Sequence, residues 1–117
     1  MECKKHLLQK ERLRKKANQF RFVQAQQDAE KIVQMIVEKY SPLRIYQWGS
    51  LLYPDQFQEI SDIDIGVEGI CDVVQFFSLL GEAMKRTKFS LDIVQMEKLV
   101  PEFAEIIKMK GRVVYER

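Results

Sequence analysis

Between Glu2 and Tyr40 the chain has neither glycine nor proline, and Phe22, Ala25, Ala29, Ile32, Val33, Ile36, Val37 and Tyr40 recur at steps of three and four residues. That spacing predicts an amphipathic helix with one buried stripe. The half before it has a thinner stripe, with Leu7, Leu8, Leu13, Ala17 and Phe20 among many charges. It reads as helical but less buried, available to order against a partner. Ser41-Pro42 stops the helix, because a residue preceding proline avoids helical geometry.

The pattern then changes period. Arg44 to Trp48 is rich in β-branched and aromatic residues and reads as a strand. Gly49-Ser50 opens a turn, Leu51-Leu52 can start a short helix, and Tyr53 to Glu59 is a polar loop. Asp62 to Val67 is a second strand. Asp72 can cap a helix over Val73 to Arg86, with Phe76, Phe77, Leu79, Leu80, Ala83 and Met84 facing inward in part. Phe89 to Val94 is a third strand. Pro101 starts a short helix that ends near Gly111, and Val113 to Tyr115 is a last strand or a docked tail. The order α-β-β-α-β-α predicts an α+β or α/β sandwich around a small mixed sheet.

At 117 residues, with 46% hydrophobic and 31% charged positions, the chain has the composition of one folded domain rather than a disordered segment. The net charge of +2 hides an asymmetry. Residues 1–22 carry eight Lys and Arg against two Glu, so a basic arm of +6 precedes a body of −4. Nucleic acid is a possible but less favoured partner for that arm, which lacks interleaved aromatics. Lys85, Arg86 and Lys88 end a predicted helix, where cations suit the C-terminal dipole.

Cys3 and Cys71 are too few and too far apart for a disulfide framework or a metal motif, and reduced thiols in a cytoplasm are the simpler expectation. Cys71 reads as a small apolar filler. The N-terminus lacks the apolar region of a signal peptide, and no run approaches the ~20 apolar residues of a membrane span.

One stretch breaks the apolar logic. Asp62 and Asp64 lie two apart in a strand, hence on one face, while Ile63 and Ile65 point to the other. Burying such charges requires a partner cation or a hydrogen-bond network, unless the segment is not a strand. A hard divalent ion suits paired carboxylates, and Mg²⁺ typically takes one or two of them with water and phosphate oxygens. Asp92, flanked by Leu91 and Ile93 in the next predicted strand, can join them if the two strands are neighbours. Three carboxylates around two metals fit phosphoryl or nucleotidyl transfer. Gly49 lets backbone approach a phosphate, and Ser50 with the N–H groups after it can bind the oxygens.

Gly49-Ser50, then Asp62-Ile63-Asp64, then Asp92 resembles the polymerase-β-like nucleotidyltransferase superfamily, and the short chain resembles its minimal (MNT) branch over roughly residues 43–115. The resemblance implies a polymerase-β-like core in residues 42–117; residues 1–41 lie outside that minimal core and are expected as an N-terminal helical extension packed on it. It implies Asp62, Asp64 and Asp92 as metal ligands and catalytic acids, with Gly49 and Ser50 on the triphosphate. It further implies Mg²⁺, two ions, ATP or another NTP as substrate, and transfer of a nucleoside monophosphate to an acceptor hydroxyl. Members of this branch are commonly paired with a small helical HEPN-domain protein in toxin–antitoxin systems. Many members follow Gly-Ser with a small residue, an Arg and a Gly. Here Leu51 to Glu59 contains neither Arg nor Gly, which leaves a contact-only module that neutralises its partner without catalysis as the alternative.

Overall fold

A computed structural model describes residues 2–49 and 63–117, with side chains from Leu7 onward. The uninterrupted N-terminal segment is a single helix, α1 (Glu2–Tyr40). At about 1.5 Å per residue it is nearly 60 Å long, and it sets the 61 Å dimension of the molecule. Its second half is buried through Ala25, Ala29, Ile32, Met35 and Ile36, with Phe22, Val33, Val37 and Tyr40 packed at the margin. Leu7, Leu8, Leu13 and Phe20 in the first half are exposed. The helix stops at Ser41, whose φ of 48° is left-handed, followed by the buried Pro42.

Strands β1 (Arg44–Trp48) and β2 (Ile63–Glu68) pair antiparallel. Helix α2 (Val73–Met84) carries the chain over to β3 (Leu91–Gln95), which lies parallel to β2, as a helical crossover allows. A 3-10 turn at Met96–Lys98 leads to α3 (Pro101–Lys110), and the chain returns as β4 (Arg112–Glu116), antiparallel to β1. The mixed sheet runs β3-β2-β1-β4. The expected α+β architecture is present, and the C-terminal segment is a strand rather than a docked tail. Strand β3 begins two residues later than the apolar pattern indicates.

Two apolar clusters sandwich the sheet. Ile45, Ile63, Ile65, Val67 and Ile93 pack against α1 and α2. Tyr46, Met96 and Ile107, with Trp48 and Val94 beside them, form the cluster under α3. Asp72 caps α2 as expected, its Oδ1 accepting from the Gln75 N–H at 2.9 Å. Two expectations for this region fail. Phe77 and Met84 are each 66% exposed, because α2 buries only the narrow edge that carries Leu79 and Ala83. Cys71 is exposed in the turn before α2 and fills no core space.

Candidate functional site

Strand β1 ends at Trp48 and the chain turns at Gly49, whose φ of +83° is left-handed and favours glycine. Space demands glycine there as well, since a β-carbon at Gly49 would overlap Oδ2 of Asp64. Two strictures of different origin thus meet at the residue expected to approach a phosphate.

Asp64 is the second residue of β2, opposite Trp48 on β1 and opposite Asp92 on β3. Its neighbours Ile63 and Ile65 are fully buried toward α1 and α2. By strand alternation Asp64 shares the other face with Gly66. A β-carbon on Gly66 would press on Met96 Sδ and come within 3.5 Å of the Trp48 ring. The face that bears the carboxylates therefore has an apolar floor of Trp48 and Met96, continuous with the cluster under α3.

Asp64 is half-buried and Asp92 is exposed. In-register residues on parallel strands stand about 4.8 Å apart at the backbone, so the two carboxylates neighbour one another. Like charges so placed repel unless a cation or a proton lies between them. Their hard oxygen donors suit a hard divalent ion. Among the described residues no group of three or more His, Cys, Asp and Glu side chains forms a complete metal site. Ser50, the Leu51-Leu52 helix, the polar loop and Asp62 lie outside those residues. The structure thus brings together three of the five expected site residues, Gly49, Asp64 and Asp92. It adds Trp48, which the sequence marked only as a strand residue and whose signal is its place immediately before Gly-Ser.

No protein-family model matches this sequence, and no curated protein matches it. Solved structures do. A toxin–antitoxin crystal structure with AMP-PNP superposes with a TM-score of 0.64 at 20% identity, over 76% of this chain and 73% of that one. The MntA–HepT toxin–antitoxin superposes at 0.60 and 18% identity, over 79% and 73%. A tri-AMPylated HEPN toxin from Shewanella oneidensis in complex with its MNT antitoxin also gives 0.60 at 18% identity, over 80% and 73%. All three are toxin–antitoxin structures, one of them a HEPN toxin bound to an MNT antitoxin.

Proposed function

We propose that the chain is a metal-dependent nucleotidyltransferase that moves a nucleoside monophosphate, AMP from ATP, onto a hydroxyl of a HEPN-domain partner. The observation that carries this reading is the alignment of Asp64 with Asp92 beside Gly49. The AMPylated toxin and the AMP-PNP complex among proteins of the same fold support it.

Asp62 and Asp64, with Asp92 as the third acid, would hold Mg²⁺. When bound, the ion neutralises phosphate charge and steadies the departing pyrophosphate. Gly49 leaves room for the Asp64 carboxylate against the turn, its backbone would approach the phosphates, and Ser50 would donate its hydroxyl to their oxygens. Asp92 is the open member of the pair and would accept the proton of the acceptor hydroxyl. The acceptor oxygen bonds to the α-phosphorus, the bond to the β-phosphate oxygen breaks, and pyrophosphate leaves with that electron pair.

The second reading is a contact-only module, favoured by the absence of Arg and Gly from Leu51 to Glu59. Incubation with a co-expressed HEPN protein, Mg²⁺ and ATP labelled at its α-phosphate separates the two. The enzyme labels its partner, and Asp64→Asn abolishes the label while partner binding persists. A contact-only module gives no label and neutralises the partner equally well with or without the substitution.

A further inference from the structure

Between α1 and the segment joining α2 to β3 lies an open cleft of about 1000 Å³. Arg21 and Lys31 line it from α1, and Lys85, Arg86 and Lys88 from the connecting segment, against one carboxylate, Asp28. The wall is fixed by local bonds. Thr87 Oγ1 donates to Asp28 Oδ2 at 2.8 Å and accepts from the Phe89 N–H at 3.1 Å. Arg86 Nη1 donates to the Glu82 carbonyl at 2.7 Å, at the end of α2. The dipole argument accounts for cations at that helix end. It does not account for their facing two more cations on another helix.

The charge continues beyond the cleft. Lys10, Arg14, Arg21 and Lys31 share one side of α1, and Lys10 and Arg14 are exposed. They form a cationic row about 32 Å long at the helical rise, too extended for a single nucleotide. Beside it stands Phe20, 64% exposed. The arm has no run of interleaved aromatics, but one exposed ring along a basic track is enough to stack one unpaired base.

We infer that this face binds a single-stranded polynucleotide, its phosphates along the lysine and arginine row and in the cleft, with a base on Phe20. The site is independent of the nucleotidyl-transfer reading, because it uses neither carboxylate and needs no metal.

The test is fluorescence anisotropy of the full chain with a labelled mixed-sequence single-stranded RNA of about twenty nucleotides, in EDTA across a salt series. Wild type binds, and Asp64→Asn/Asp92→Asn binds equally well. Lys31→Gln/Lys85→Gln/Lys88→Gln weakens binding and lowers the slope of log affinity against log salt by about 2, for three lost phosphate contacts. Phe20→Ala weakens binding at least about fivefold. Lys98→Gln/Lys110→Gln, the same kind of change on the opposite side, leaves it unchanged. Circular dichroism of each variant establishes that it is folded. The inference is overturned if wild type fails to bind at low salt, if the cleft and control variants behave alike, or if Phe20→Ala has no effect. Polyglutamate competing as well as unlabelled RNA would also overturn it, by marking the face as a site for acidic protein.

Discussion

Asp64 on β2 and Asp92 on β3 are register partners, so two carboxylates stand one strand apart on a single face of a parallel ladder. Nothing about the stability of a sheet asks for this, since like charges directly opposite are mildly unfavourable. Asp92→Asn should therefore leave the metal-free protein as stable as wild type or more so, by about 0.5 kcal/mol. Mg²⁺ with ATP at a hundred times its Kd should stabilise wild type by about 2.7 kcal/mol and the variant far less. Thermal melts with and without Mg²⁺ and ATP check both. An equal ligand-induced shift in the two proteins would count against a site at Asp92.

Gly49 meets a backbone constraint and a steric one at the same point. Gly49→Ala places a side chain at φ +83° and against Asp64, so it should destabilise by at least about 1–2 kcal/mol, the left-handed term alone. It should also displace the carboxylate and weaken nucleotide binding. Urea unfolding and an ATP titration of the variant measure the two effects, and an unchanged midpoint with unchanged affinity would contradict the assignment.

Ile65 backs the site from the core side, fully buried between Asp64 and Gly66. Ile65→Ala should cost about 2–5 kcal/mol in urea unfolding. Phe77→Ser on the exposed side of α2 should change stability by no more than about 0.5 kcal/mol. A comparable loss at Phe77 would mean that α2 buries a wider face than the one described.

Lys39 Nζ lies 3.0 Å from Glu82 Oε1, and the Tyr40 hydroxyl lies 3.3 Å from Oε2, fastening the end of α1 to α2. The Lys39 hydrogen bond is the main reason the Glu82 carboxyl sits below its ordinary 4.5. A lowered folded-state pKa gives stability that is present above the ordinary value and lost as pH falls through the folded one. The Tm difference between wild type and Glu82→Gln should therefore shrink as pH falls below the ordinary 4.5. A constant difference would show that the contact is steric.

Much of this was legible in the chain because it rests on local rules. The apolar stripe of α1, the Asp72 cap and the alternation around Asp64 each follow from residues within a few positions. The pairing of Asp64 with Asp92 was conditional on β2 and β3 being neighbours, which only the crossover through α2 decides. Helical periodicity gives the apolar positions of α2 but not how wide a face its neighbours cover, so Phe77 and Met84 stood with the partly inward-facing residues although both are exposed. Cys71 was misplaced for a related reason, since small apolar character does not locate a residue in a turn. The basic cleft was least legible. Its cations come from two segments more than fifty residues apart, and only folding sets Lys31 opposite Lys85 and Lys88.

The most direct test of the central claim is calorimetric titration of ATP, with and without Mg²⁺, into wild type and Asp64→Asn/Asp92→Asn. Saturable heat for wild type that needs Mg²⁺ and disappears in the double variant is the predicted result. Magnesium-dependent binding of equal affinity in both proteins would contradict it, because the nucleotide would then sit somewhere other than on the Asp64–Asp92 pair.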